Sequence, residues 1–87
     1  MVIDAGGDTV LPGLIDNYVH IDLIGHGSRE PNYELLGDHE RLDEVMPIAV
    51  NQMLKAGVTT ALDLGAPLEI LGVRRKIGAG QIPGPRL

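Results

Sequence analysis

Several residue types are absent or scarce in this 87-residue chain, and each absence narrows what the protein can do. There is no cysteine, which excludes disulfides, cysteine nucleophiles and thiolate metal sites. Phe and Trp are also absent and only two Tyr are present, so any core must be aliphatic. The net charge of −5 gives no electrostatic reason to expect nucleic acid or an anionic membrane as a partner.

The chain also lacks long apolar segments. No run of about 18 apolar residues suggests a membrane span, and no segment resembles a secretory signal. We therefore expect a cytoplasmic protein. The hydrophobic content of 44% is typical of a globular chain. A chain of this length buries only roughly 60–65% of its unfolded surface, so its stability would be marginal on its own.

The first twelve residues predict a β-hairpin. Apolar residues flank Gly6-Gly7, and glycine tolerates the positive φ that tight hairpin turns require. We assign residues 2–11 to the hairpin. Pro12 cannot donate a hydrogen bond to a strand partner, so the pairing should end there.

Residues 14–21 predict a strand with an unusual polar face. Side chains alternate between the two faces of a strand, which places Leu14, Asp16, Tyr18 and His20 together. Three polar groups on one face are unusual for a strand that only closes a core. The pattern favours a strand whose end opens into a functional site.

The remaining chain alternates between helical and strand patterns. Residues 22–38 predict a long loop, and a helical pattern then runs from about His39 to Lys55. Pro47 either kinks this helix or starts a second one. Residues 58–64 predict a strand, and Pro67 can open a helix that ends near Gly78.

The closing segment I-P-G-P-R-L predicts the start of one more strand. Strands that alternate with helices indicate βαβ units and a parallel sheet, so the predicted fold class is α/β.

Three stretches resemble one known family. L-P-G-L-I-D-N-Y-V-H, at residues 11–20, resembles the signature P-G-(L/F)-I-D-x-H-x-H of the amidohydrolase superfamily, metal-dependent hydrolases built on a (β/α)8 barrel. L-K-A-G-V-T-T-A-L-D-L-G, at residues 54–65, resembles the family's passage from the first barrel helix into the second strand. The closing G-P-R-L is similar to the third strand of imidazolonepropionase-like and metal-dependent dipeptidase-like members.

The resemblance implies an incomplete version of that fold. Residues 1–12 would be a hairpin remnant of the family's small β-sandwich, and residues 13–87 would form the first two βα units of the barrel. A complete barrel typically needs about 250 residues. The family's later ligands, on its fourth, fifth, sixth and eighth strands, have no counterpart in these residues. We therefore expect a truncated product, a fragment or a gene remnant that is inactive in isolation.

The resemblance also implies a metal site. In the family the two signature histidines hold a divalent ion, most often zinc, which activates water for attack on an amide or peptide substrate. His20 occupies the second ligand position, whereas Tyr18 occupies the first, and a neutral Tyr is a poor zinc ligand at pH 7. We predict His20 as the metal-binding residue, assign no catalytic residue, and expect the chain alone not to bind the ion.

Other polar residues have competing interpretations. Asp63 can orient a histidine or can hydrogen-bond the start of the following helix. Asp16 is expected to be buried and hydrogen-bonded, and Asp22 is a further possible ligand just past the strand. His26 is expected to be a solvated loop residue, and His39 part of a charged helix start.

Two alternatives to a hydrolase remain open at this point. An open parallel sheet exposes its edges and apolar faces, so the chain can be a non-catalytic fragment that is ordered by self-association or by a companion chain. The other alternative is a small metal-binding module that uses His20, His26 and the surrounding acidic residues.

Overall fold

The computed structural model describes residues 1–23, 34 and 37–87. Over these residues the order of elements is strand, helix, strand, helix, which confirms the predicted α/β class. The elements are β1 (Leu14–Val19), α1 (His39–Lys55), β2 (Val58–Asp63) and α2 (Ile70–Gly78). The long loop predicted at residues 22–38, with His26, lies mostly outside the described residues.

β1 and β2 pair in parallel, as predicted for strands joined by a helix. Leu14 lies opposite Val58 and Val19 lies opposite Asp63, with irregular register between these ends. The pairing begins where the backbone N–H of Leu14 donates to the carbonyl of Gly57 at 2.9 Å. Because the strands are parallel, their carboxyl ends meet at one edge of the sheet.

The closing segment adds the predicted start of another strand beside β2. The N–H of Arg86 donates to the carbonyl of Thr59 at 2.9 Å, and the N–H of Ala61 donates to the carbonyl of Arg86 at 2.8 Å. These bonds form a parallel bridge between Thr60 and Arg86. The described sheet therefore runs from β1 through β2 to this single bridging residue.

α1 is one continuous helix whose ends carry clear signals. Asp38 is its N-cap, and the side chain accepts a hydrogen bond from the N–H of Arg41 at 3.1 Å. Lys55 lies in the last turn, where positive charge opposes the helix dipole, and Gly57 follows with φ of 91°. Pro47 lies inside the helix, so the alternative of a second helix starting there is wrong.

The core forms where α1 faces the end of β1 and α2. Leu42, Met46 and Val50 recur every four residues on α1 and are fully buried. Ile21, just past β1, and Val73 of α2 complete the cluster. Burial of each such aliphatic side chain contributes about 1.5–3 kcal/mol, so this small cluster is the main source of stability.

The amino-terminal segment corrects the predicted hairpin. The turn is present: Gly6 and Gly7 have φ of 60° and 89°, and the N–H of Asp8 donates to the carbonyl of Ala5 at 2.9 Å. No strand flanks it: apart from this turn, residues 1–12 have no regular secondary structure, and all of them are exposed. An isolated two-stranded hairpin is marginally stable at best, and no apolar surface of the described residues covers these side chains.

Within the described ranges the helices are α1 and α2, and neither is long and apolar enough to cross a membrane.

Candidate metal centre

Three polar side chains converge where the two parallel strands end. His20 and Asp22 follow β1, and Asp63 is the last residue of β2. One possible ligand atom from each of the three lies within 4.8 Å of the other two. We call these three residues the strand-end cluster. Its position at the carboxyl ends of parallel strands is where α/β proteins commonly place their functional groups.

Asp63 is the fixed member of the strand-end cluster. Its side chain is only 1% exposed. Its Oδ2 atom accepts a hydrogen bond of 3.0 Å from the backbone N–H of Ile21, and its Oδ1 atom accepts one of 3.1 Å from the N–H of Gly65. Each carboxylate oxygen keeps further acceptor capacity beyond these bonds. Asp63 therefore holds the two strand ends together and still presents oxygen atoms to a neighbour.

His20 is the accessible member. Its side chain is 32% exposed, and its Nδ1 atom lies 3.9 Å from Oδ1 of Asp63. That separation is longer than a hydrogen bond, so the imidazole and the carboxylate are neighbours without a direct hydrogen bond. The ring of Tyr18 packs against the imidazole with centroids 5.1 Å apart and ring planes at 82°.

Asp22 is a buried carboxylate with unused capacity. The residue is 3% exposed, and its Oδ1 atom has no hydrogen-bond partner in the described part of the chain. Burial, with a smaller effect from the nearby charge of Asp63, raises the pKa of Asp22 against opposing effects of a backbone hydrogen bond and of His20. A buried acceptor without a donor is costly, and a bound cation would supply the missing partner.

The donor set fits a divalent cation. One imidazole and two carboxylates match the nitrogen and oxygen ligands of catalytic zinc sites, where three protein ligands leave a position open for water. Ligand atoms around such an ion lie roughly 3–4 Å apart, so the observed separations require only small side-chain rotations. The Oδ1 atom of Asp22, buried and without a hydrogen-bond partner among the described residues, distinguishes this cluster from an ordinary group of acids.

The structure brings together only part of the predicted polar face. Tyr18 contacts His20, but Asp16 is exposed rather than buried, and its Oδ1 atom accepts a local bond of 3.1 Å from the N–H of Tyr18. The expectation of a buried Asp16 is wrong because no described element covers this part of β1. His39 is the first residue of α1, as expected, and pairs with Glu69.

For Asp63, the structure shows neither alternative directly: its Oδ1 atom lies 3.9 Å from Nδ1 of His20, and its hydrogen bonds come from the N–H groups of Ile21 and Gly65. α2 has Glu69 as its N-cap without a side-chain bond, so Asp63 does not cap it. Sequence reasoning missed that Asp22 is buried beside His20. The available signal was the two-residue spacing in H-I-D at the strand end, which places both side chains on one side of an extended chain.

The fold and the site together define an α/β protein with a candidate metal centre at the carboxyl ends of its parallel strands. Comparison with known proteins is consistent with this class: the family model described as "Amidohydrolase family" matches residues 9–87. Because the match covers most of the chain, the protein belongs to the amidohydrolase family. No curated protein matches it.

Proposed function

We propose that this chain provides the first two strands of a metal-dependent hydrolase that cleaves C–N bonds in amides or cyclic amides. Family membership supports the hydrolase class. The observation that carries the proposal is the buried Oδ1 atom of Asp22 beside His20 and Asp63, which has no hydrogen-bond partner among the described residues. Divalent metal is the expected cofactor, and zinc suits this mixed nitrogen and oxygen donor set.

The bound ion would lower the pKa of a water molecule to near 7 and polarise the substrate carbonyl. His20 and Asp22 are the residues we propose as ligands, since His20 is accessible and Oδ1 of Asp22 has no hydrogen-bond partner in the described part of the chain. Asp63 is either a third ligand or the carboxylate that orients the imidazole. In both roles its two backbone hydrogen bonds keep it in place.

We also propose a larger architecture for these elements. Residues 13–87 would form two βα units of a (β/α)8 barrel, and residues 1–12 would belong to a small β-sandwich. The parallel pairing of β1 and β2 and the bridge at Arg86 support the barrel assignment. In a barrel the exposed side chains of β1 would be covered by further strands, and the strand-end cluster would lie at the catalytic face.

Calorimetric titration of the untagged 87-residue chain with Zn²⁺ tests the site. We expect one zinc per chain, which departs from the expectation drawn from the sequence because Asp22 and Asp63 lie beside His20. The affinity should fall about tenfold or more in His20→Ala and in Asp22→Ala. The matched control is His39→Ala, which removes a histidine that is 71% exposed and remote in sequence from the cluster. No zinc binding by the parent chain, or equal losses in His20→Ala and His39→Ala, would reject the site.

An assay of the zinc-loaded chain with N-acyl amino acids and dipeptides tests the hydrolase function itself. Turnover that disappears in His20→Ala supports it. If zinc binds but no substrate is cleaved, the metal site stands and catalysis by these residues alone is rejected.

A second candidate function is a non-catalytic element that is ordered by self-association or by a companion chain. The exposed apolar surface of β1 favours it: Leu14, Ile15 and Tyr18 are 61%, 67% and 69% exposed. In the described residues β1 pairs only with β2, so its other edge offers free backbone groups to a further strand.

Sedimentation velocity at micromolar concentration tests this candidate. We expect dimers or larger species that dissociate in Ile15→Lys, because a charge on β1 opposes strand addition. Leu68→Lys is the matched control, since Leu68 is 81% exposed but lies outside the sheet. A parent chain that sediments as a monomer argues against self-association.

A further inference from the structure

We infer that Tyr18 is a positioning residue for His20, acting through its aromatic ring rather than through its hydroxyl group. The inference rests on the proposed cation site and concerns the one signature position where this chain departs from the family pattern. The rings of Tyr18 and His20 meet edge to face, with centroids 5.1 Å apart and planes at 82°. This geometry is favourable because the positive edge of one ring meets the negative face of the other.

The loop after β2 also lies close to the imidazole. A Cβ atom added to Gly65 would lie 3.4 Å from Cε1 and 3.7 Å from Nδ1 of His20, so the glycine backbone is close to that edge of the ring. Asp63 faces the same edge, with Oδ1 at 3.9 Å from Nδ1. Tyr18 thus holds the imidazole from β1, while Gly65 and Asp63 border it from β2.

The contact is needed because His20 lies at a partly open position. With its side chain 32% exposed, the imidazole would otherwise rotate and exchange the positions of its two nitrogen atoms. Each rotation away from Asp63 removes the histidine from the strand-end cluster. A ligand that is already oriented binds more tightly, because less side-chain freedom is lost on binding.

The ring, not the hydroxyl, is the part of Tyr18 that the observed contact uses. The side chain is 69% exposed, so its hydroxyl can be hydrated without help from the protein. A neutral phenol is also a weak zinc ligand compared with an imidazole or a carboxylate. Phenylalanine at this position should therefore work as well as tyrosine, whereas an aliphatic residue of similar size should not.

Two variants and two measurements test the inference. We expect Tyr18→Phe to bind zinc within about twofold of the parent chain, and Tyr18→Leu to bind it roughly three- to tenfold more weakly. Nitrogen-15 NMR of the zinc-free chain reads the tautomer and mobility of the His20 imidazole directly. Tyr18→Leu should shift the tautomer ratio and narrow the ring resonances, and Tyr18→Phe should leave both unchanged.

Leu14→Ala is the control, because it removes another exposed apolar group from β1 six residues before His20. If Tyr18→Phe loses as much zinc affinity as Tyr18→Leu, the hydroxyl is the active group and the inference is wrong. It is also wrong if Tyr18→Leu leaves the imidazole resonances unchanged. Because the NMR measurement uses the zinc-free chain, it decides the inference about Tyr18 even if the proposed metal site is rejected.

Discussion

The Oδ2 atom of Asp63 accepts a 3.0 Å hydrogen bond from the backbone N–H of Ile21, a residue 42 positions earlier in the chain. Ile21 is buried in the core, and Asp63 ends β2. This bond therefore joins the end of one strand to the end of its neighbour at the same point where the strand-end cluster forms. Stability and site geometry depend on one carboxylate.

Asp63→Ala should be strongly destabilising. It removes the acceptor for two backbone N–H groups, one of them on a buried residue, and hydrogen bonds to charged groups are the costly ones to lose. We expect a loss of about 2–4 kcal/mol in urea unfolding, and a smaller loss for Asp63→Asn, which keeps one carbonyl acceptor. Asp16→Ala removes an exposed carboxylate with one local bond and serves as control. Equal losses for the two alanine variants would contradict this role.

Asp22→Asn should have opposite effects on folding and on metal binding. Because burial raises the pKa of Asp22, ionisation of this carboxyl at neutral pH opposes folding, and an amide avoids that cost. We expect the zinc-free variant to be more stable than the parent chain at pH 7 and to bind zinc more weakly. The exposed Asp43→Asn on α1 should change neither quantity. A destabilised Asp22→Asn would mean that Oδ1 has a partner in solution.

Gly13→Ala should disrupt the start of the sheet. A Cβ atom at this position would overlap the side chain of Thr59, approaching even its Cβ to 2.6 Å, so β1 can lie beside β2 only with glycine there. We expect a loss of about 1–3 kcal/mol by thermal or urea unfolding. Combining it with Thr59→Gly should recover part of the loss through a measurable coupling energy.

Gly72→Ala is the control for this pair of variants. Gly72 lies inside α2, and an added Cβ would meet no atom of the described residues within 4 Å beyond its own helix backbone. Alanine is the better helix former by roughly 0.5–1 kcal/mol, so this change should stabilise the chain. If both glycine substitutions change stability in the same direction, overlap with Thr59 is not the cause.

Local patterns were sufficient to predict most elements. The apolar spacing from Leu42 to Val50 is enough to define the buried side of α1, and the stop after Lys55 follows from charge and glycine. The strand at Val58–Asp63 follows from its β-branched composition. These features depend on neighbours within one or two turns, which the sequence displays directly.

Features that depend on residues distant in the chain were harder to predict from the sequence. The hairpin prediction at residues 2–11 treated local turn chemistry as sufficient, although strands also need a surface to pack on. His20 was identified from a motif, but its two neighbours in the cluster depend on the parallel register that brings Asp63 beside the end of β1. The burial of Asp22 likewise results from tertiary packing, so spacing alone did not predict it.

The pairing of His39 with Glu69 should make the free energy of unfolding depend on pH in the acidic range. This contact links the first residue of α1 to the N-cap of α2. A backbone hydrogen bond has the largest effect on the pKa of the Glu69 carboxyl and lowers it. The side-chain hydrogen bond with His39 lowers this pKa as well. A carboxyl group whose pKa is lowered in the folded state stabilises the fold at pH values above the ordinary glutamate pKa. That stabilisation is lost as the pH falls through the lower pKa of the folded state.

The parent chain should therefore be more stable than Glu69→Gln at pH 6, and the difference should shrink as the pH falls below about 4.3. Urea unfolding between pH 3 and pH 6 measures the difference, with the exposed Glu44→Gln as a control for loss of one carboxylate. A difference that stays constant over this range would show that the ionised form of Glu69 does not contribute.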